Sequence, residues 1–338
     1  MSKSPIILGI ESSCDDTSAA ILRGQKILSN IVANQEIHTQ YGGVVPELAS
    51  RAHQQNIIPV VDAAIKKANI NKEDITAIAF TKGPGLLGSL LVGSSFSKSF
   101  ALGMNIPLIA VNHMQGHILS HFIDEGEEMP KFPFLCLTVS GGHTQIVQVD
   151  SPNKMEVIGT TIDDAAGEAF DKSAKILGLP YPGGPLIDKH AKTGNIHAFE
   201  FGKPKIKELD FSFSGLKTSI LYKIQNNMQN NPKFIEENLE DLCASIQHSI
   251  VSILLKKLEK AIKQTGIKEL AIAGGVSANS YLRSKLKNLA KTKGYQLYIP
   301  KFEYCTDNAA MIAIAGYFKY LDKDFADQSE TPSARLPF

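Results

Sequence analysis

The sequence predicts an α/β protein of two domains that divide near residue 130. Three observations carry that expectation. Glycine-rich turns recur beside apolar runs of buried-strand length, a two-proline break interrupts the chain, and 338 residues with 43% apolar side chains can give each domain its own core.

In chain order, Ile6-Ile7-Leu8-Gly9-Ile10 reads as a strand entering the turn Glu11-Ser12-Ser13-Cys14-Asp15-Asp16-Thr17, and Ala19 to Leu22 leaves it. Gly43 to Ile70 carries a helical pattern, and Ile75 to Phe80 a further strand. His113 to His117, followed by Ile118, Leu119 and Phe122, has the apolar stripe of a short helix. Pro130-Lys131-Phe132-Pro133 cannot lie inside a continuing helix, so a first domain of residues 1–130 ends there.

Phe134 to Val139 enters a second turn, Ser140-Gly141-Gly142-His143-Thr144, and Gln145 to Val149 leaves it, a rough echo of the first hairpin. Leu270-Ala271-Ile272 leads into Ala273-Gly274-Gly275-Val276-Ser277-Ala278-Asn279 and the helical run Ser280 to Leu289, the order of a nucleotide-binding crossover. The second domain spans 131–300. The segment 301–338 returns to the first domain as a helix, Ala309 to Tyr320, and a tail; by composition alone the tail from Asp322 to Phe338 reads as poorly ordered or partner-binding. Turns of this kind can aim backbone N–H groups and hydroxyls at phosphate oxygens, although a plain β-hairpin uses the same glycines only for their positive φ.

The chemistry concentrates at His113 and His117. Residues four apart share a helix face, so both rings can grip one ion. The third ligand expected is Asp307, in Cys305-Thr306-Asp307-Asn308 at the mouth of the last helix. Two imidazoles and one carboxylate leave coordination positions open to a substrate, whereas the ordinary alternative is a pair of polar residues on a wet helix. Met114 stands where a zinc protease carries its glutamate base, and His121 lies one turn too far along for the same ion.

A net charge of +1 gives no global attraction for nucleic acid, so any contact must come from local patches or partners. Lysines gather at Lys203, Lys205 and Lys207, from Lys256 to Lys263, and from Arg283 to Lys293. Cys14, Cys136, Cys243 and Cys305 show no paired spacing and suit a reducing cytoplasm. No signal-peptide pattern opens the sequence, and Gly and Ser interrupt its most apolar run, so neither secretion nor membrane insertion is expected.

Taken together, the two hairpin turns and the crossover resemble the two phosphate loops and the adenosine loop of the actin-like ATPase and sugar-kinase (ASKHA) superfamily, which implies a ligand cleft between two related domains. A closer resemblance covers nearly the whole chain. It runs through Glu11 to Thr17, Gly42-Gly43-Val44-Val45-Pro46-Glu47, His113 to His117, Val139 to Thr144, Gly167 to Lys172, Tyr181 to Pro185, Phe211 to Thr218, Gly274 to Asn279 and Cys305 to Asn308. These blocks resemble the tRNA N6-adenosine threonylcarbamoyltransferases of the bacterial TsaD type. Gln115 departs from the glutamate that many relatives carry.

The resemblance implies transfer of the threonylcarbamoyl group of threonylcarbamoyl-AMP to N6 of the adenosine 3′ of the anticodon, in tRNAs reading codons that begin with A. It implies a divalent metal, iron(II) ahead of zinc(II), on His113, His117 and Asp307, and an adenylate cradle of Val139, Ser140, Gly141, Gly142 and His143. Asp171, Gly184, Asp188 and Asn279 are the implied nucleoside contacts, and Glu11 either assists the attacking amine or pairs with a nearby cation. Singly, Asp171 could be a surface charge, Gly184 a turn glycine and Asn279 a helix cap. The implied partners are tRNA, a TsaB-type paralogous subunit and a TsaE-type ATPase. Two other readings compete: a metallopeptidase, and a non-catalytic nucleotide-dependent switch or scaffold.

Overall fold

The computed structural model describes residues 4–34, 41, 43–202 and 206–338. Gly42, Lys203 and Lys205, named above, lie outside the described residues. The chain divides into two compact units, one of Met1–Pro130, Ser151–Met155 and Pro300–Phe338, the other of Lys131–Asp150 and Glu156–Ile299.

The first unit is built on a sheet of β1 (Ile6–Glu11), β2 (Thr17–Arg23), β3 (Lys26–Ala33), β4 (Ala77–Gly83) and β5 (Leu108–Asn112), in the order β3-β2-β1-β4-β5. β1 pairs antiparallel with β2 and parallel with β4, and β4 pairs parallel with β5. β1 is buried along its whole length, which accounts for its unbroken apolar run. One face of the sheet packs Leu8, Ile10 and Ile78 against Ile57, Val60, Val61 and Ala64 of helix α1 (Pro46–Ala68) and against Ala101 of helix α2 (Leu87–Met104). Gly43 and Val44 precede the helix, because Pro46 occupies its first turn, where the missing N–H costs nothing. His53 of α1 is wholly buried; its Nε2 meets the carbonyl of Cys14 at 3.0 Å and its Nδ1 the hydroxyl of Thr17 at 2.7 Å, tying the helix to the β1–β2 turn. Glu47 and Arg51 form an exposed pair within α1, at 2.8 Å.

The short helix α3 (His113–Leu119) leaves the end of β5, and helix α10 is the run Ala309–Leu321. α10 lies directly on β1: a Cβ at Gly9 would come within 2.4 Å of the Ala309 carbonyl, so only glycine permits the approach. The segment after α10 is docked, not loose. Ala326 bridges Leu108, the amide of Ser333 donates to the Lys82 carbonyl at 2.8 Å, and Glu330 pairs with Lys82 at 2.7 Å. These are largely backbone contacts to distant strands, which composition does not reveal, so the reading of this tail as poorly ordered is corrected.

The second unit has a sheet in the order β10-β9-β6-β7-β8. Its strands are β6 (Phe134–Val139), β7 (Thr144–Ser151), β8 (Lys154–Thr160), β9 (Glu269–Ala273) and β10 (Gln296–Tyr298). β6 pairs antiparallel with β7 and parallel with β9, which pairs parallel with β10. With β6 matched to β1, β7 to β2 and β9 to β4, this repeats the strand order of the first unit, so the echo seen in the hairpins extends to both sheets. Leu135 and Leu137 pack with α4 (Ala166–Ile176), α5 (Gly183–His190), α6 (Ser214–Met228), α8 (Leu239–Thr265) and α9 (Ser280–Lys293) in one core, and the short α7 (Phe234–Glu237) adds Phe234. Among the described residues no helix is long and apolar enough to cross a membrane.

Candidate metal centre and nucleotide loops

Asn112 sets the start of α3. Its Oδ1 accepts from the amides of Met114 at 2.9 Å and Gln115 at 3.4 Å, so the helix begins at the first histidine and presents His113 and His117 one turn apart. Met114, Ile118 and Leu119 are buried on the inner side. At the head of α10, Asn308 plays the same part: its Oδ1 accepts from the Met311 amide at 3.1 Å and its Nδ2 donates to the Thr306 carbonyl at 2.9 Å, which fixes the residue between them, Asp307.

The three side chains converge. Asp307 Oδ1 lies 3.1 Å from His117 Nε2 and 3.4 Å from His113 Nε2, and one ligand atom from each residue falls within 4.8 Å of the others. Bonds of about 2.0 to 2.2 Å to one ion would set neighbouring donors roughly 3 to 3.6 Å apart, so this donor set fits a divalent cation. His121 is not part of the group.

Behind His113 stands Glu11, fully buried at the end of β1. One carboxylate oxygen accepts from the Ser13 amide at 2.5 Å; the other accepts from the Thr81 hydroxyl at 2.6 Å and meets His113 Nδ1 at 3.1 Å. The Ser13 hydroxyl also lies 3.1 Å from that nitrogen. Burial works against charge on both Glu11 and His113, but their mutual attraction wins: Glu11 is held below its ordinary range, and His113, between Asp307 and Glu11, well above 6.5. Burial likewise opposes the ionised Asp307, and His113 and His117 more than offset it, driving its pKa down. Asp16 is pushed up to about 7 by burial first and then by Asp15, Asp307 and Glu11. The local field therefore favours a cation.

The expected adenylate residues all lie in the second unit, linked by a chain of short contacts. In the β6–β7 turn the Ser140 amide donates to the His143 carbonyl at 2.8 Å and the Ser140 hydroxyl accepts from the His143 amide at 3.0 Å. Val139 is buried, while Gly141 and Gly142 are exposed, with nothing within 4 Å of where a Cβ would stand. The Gly167 amide of α4 donates to the Ser140 carbonyl at 3.2 Å. Asp171 Oδ1 accepts from Gly183 at 2.9 Å and Gly184 at 3.1 Å, pinning α4 to the start of α5; burial raises its pKa against the pull of those two amides.

Two of the expected contacts also bind neighbouring elements of the unit. Both oxygens of Asp188 accept from Ser280, one from its amide at 3.1 Å and one from its hydroxyl at 2.8 Å. Asn279 caps α9 through the Leu282 amide at 2.9 Å and donates to Gln247 Oε1 at 2.7 Å.

The Phe211 to Thr218 block acquires a structural account. Phe211 and Phe213 are buried and stacked, with centroids 6.3 Å apart, and Asp163 accepts from the hydroxyls of Ser212 and Ser214 and from the Phe213 amide at the head of α6. Lys257, within the lysine run of α8, donates to the carbonyls of Ile206 at 2.9 Å, Lys207 at 3.3 Å and Glu208 at 2.7 Å, so its ammonium is committed to that loop. Ser13, Thr81, Asn112 and Asp163 were not singled out from the sequence. Asn112 had a readable signal, a capping residue directly before a helical stripe.

Comparison with known proteins decides the family. The family model described as "TsaD: tRNA N6-adenosine threonylcarbamoyltransferase" matches residues 26–314. This chain belongs to that family. A tRNA N6-adenosine threonylcarbamoyltransferase of Christiangramia forsetii is 66% identical over 98% of both chains, and one of Riemerella anatipestifer is 62% identical over 98% of both. Among solved structures, full-length HypF in its phosphate- and nucleotide-bound form covers 98% of this chain and 48% of its own, at a TM-score of 0.61 and 13% identity. That likeness shows the fold alone, the ASKHA type, consistent with the repeated sheet order that this threonylcarbamoyltransferase family member displays.

Proposed function

We propose that this protein transfers the threonylcarbamoyl group of threonylcarbamoyl-AMP to N6 of the adenosine 3′ of the anticodon in tRNAs reading codons that begin with A, forming t6A and releasing AMP. In that reaction N6 bonds to the carbamoyl carbonyl carbon and loses a proton, and the acyl–phosphate bond breaks with its electron pair leaving on AMP. The leaving group is good; the demands on the protein are to orient a weakly nucleophilic aryl amine and to stabilise charge on the carbonyl oxygen.

The observation that carries this reading is the convergence of His113, His117 and Asp307 in a member of this family. We assign these residues to one divalent ion, iron(II) ahead of zinc(II), because two histidines and a carboxylate are the facial donor set of non-haem iron. Such an ion supplies Lewis acidity toward the threonylcarbamoyl end. Glu11 we assign to positioning: among the described residues its carboxylate hydrogen-bonds Ser13, Thr81 and His113, so it holds the His113 ring and its tautomer while Nε2 is left for the ligand position.

In the second unit, the turn Val139 to His143 is assigned to the phosphate and carbamoyl groups, with open space before Gly141 and Gly142. The Asp171 oxygen not engaged by Gly183 and Gly184 is assigned to the ribose, with Gly184 beside the nucleoside. Asp188 and Asn279 keep α5, α8 and α9 in register around it. The expected partners are tRNA, a TsaB-type subunit and a TsaE-type ATPase, and the expected compartment is the cytoplasm. A metallopeptidase is not favoured, because the residue after the first histidine is the buried, apolar Met114.

The site assignment is tested with a stable sulfamoyl analogue of the adenylate and titrated metal. His117→Ala abolishes metal uptake, whereas Asp171→Asn keeps the metal and weakens the analogue at least tenfold. Wild-type analogue affinity in Asp171→Asn contradicts the assignment.

A further inference from the structure

The segment 326–338 reaches the metal group by two routes within the first unit. Along the first, the Nδ2 of Asn112 donates to the Pro337 carbonyl at 2.9 Å, while the Oδ1 of the same amide caps α3 immediately before His113. Along the second, the segment seats the turn after β4. Ser333 donates to Lys82, Gly85 donates to the Ala334 carbonyl at 3.2 Å, and Gly83, at φ +150°, brings its α-carbon so close that a Cβ would stand 2.0 Å from the Ser333 carbonyl oxygen. That turn in turn holds Ser13, whose carbonyl accepts from the Leu86 amide at 2.7 Å and whose hydroxyl meets His113 Nδ1.

We propose that Ser333 to Pro337 position the metal helix, and that the Pro337 carbonyl does so by fixing the side-chain amide of Asn112. An asparagine amide has two faces of opposite character. If its NH2 group has no acceptor, the amide can rotate and present a donor to the Met114 amide, which is itself a donor, and the cap is lost. With Pro337 in place only one orientation satisfies both ends. The first turn of α3 then stays wound, and His113 and His117 stay one turn apart beside Asp307. The distal segment thus acts through Asn112 on the affinity of the metal group, and its residues are positioning residues, not ligands.

The proposal rests on His113, His117 and Asp307 being the ligands, and the test separates the two claims. Dissociation constants for Zn(II) and Co(II) are measured by chelator competition on the full chain, on a chain lacking Leu336, Pro337 and Phe338, on Asn112→Ser, and on the double variant. Serine caps a helix about as well as asparagine, but its single, shorter hydroxyl replaces the separate Oδ1 acceptor and Nδ2 donor, so it cannot cap α3 and reach the Pro337 carbonyl as the amide does. The shortened chain and Asn112→Ser each bind metal about three- to tenfold more weakly, somewhat below the loss usual for a group touching a ligand directly. The double variant binds no more weakly than either, because both remove the same hydrogen bond. Gln328→Ala, which removes a contact to the Lys98 carbonyl elsewhere on the segment, leaves the constant unchanged. The Co(II) visible spectrum shifts with the shortened chain, Asn112→Ser and the double variant, and not with Gln328→Ala.

Affinities within twofold of the full chain, or losses that multiply in the double variant, overturn the proposal. If the shortened chain does not fold, Asn112→Ser alone decides on the same criterion. Metal binding that survives His117→Ala in this assay counts against the ligand assignment instead.

Discussion

Replacing Glu11 by glutamine separates its charge from its shape. The amide keeps the size of the carboxylate and can still accept from Ser13 or Thr81, so the end of β1 stays packed. What it loses is the charged acceptor 3.1 Å from His113 Nδ1. A hydrogen bond to a charged group contributes about 1.5 to 3 kcal/mol and a neutral one about 0.5 to 1.5, so the exchange costs about 1 to 1.5 kcal/mol of the ring's orientation and basicity. At 1.4 kcal/mol per factor of ten, Glu11→Gln binds metal about five- to twelvefold more weakly. Glu11→Ala falls further, because it also leaves the Ser13 amide and Thr81 hydroxyl buried without that acceptor. Chelator competition followed by elemental analysis measures both. Wild-type affinity in Glu11→Gln, within a factor of two, would refute the argument that the carboxylate acts on the metal through His113.

The same geometry carries three further expectations. Metal uptake releases a proton, because His113 holds its proton well above 6.5 and must lose it to bind; affinity therefore falls as pH drops through that raised value, and calorimetry in buffers of different ionisation enthalpy reads the proton directly. Asp163 is held below 3.8 by its serine and amide donors, against the opposing effect of burial, so its contribution to stability is full above that value and is lost as pH falls. Melting curves of Asp163→Asn accordingly approach the wild type at acid pH; a gap that stays constant down to pH 2 would contradict this. Lys257→Gln lowers stability by about 1 to 2 kcal/mol, since carbonyls of 206–208 lose a charged donor, yet leaves the salt dependence of tRNA binding unchanged. A shallower salt slope would return Lys257 to the RNA.

What could be read from the sequence was whatever local pattern dictates. The apolar runs of β1 and β6 are buried strands whose turns fall where glycine and hydroxyl residues cluster, and β9, its glycine turn and α9 follow one another as the crossover required. The imidazoles of His113 and His117 meet because four residues make one helical turn, and Asp307 joins them because α10 packs on β1. What could not be read depends on tertiary partners. Glu11 shows no sequence signal for its bond to His113, a hundred residues on, and the backbone of Ser333 meets Lys82 without help from any side chain. For Asp188 and Asn279 the sequence shows no sign of the bonds they make to Ser280 and to Gln247, because those partners come from other elements. The helical pattern from Gly43 to Ile70 runs a few residues past both ends of α1, which starts at Pro46.

The most direct test of the central claim is mass spectrometry of nucleosides from unmodified tRNA incubated with this protein, its partner subunits, the threonylcarbamoyl-AMP-forming enzyme, threonine, bicarbonate and ATP, with His113→Ala in parallel. The account predicts t6A with the intact protein and none above background with His113→Ala. Modification undiminished in His113→Ala would contradict the role of the metal group, and absence of t6A beside active partners would contradict the transferase itself.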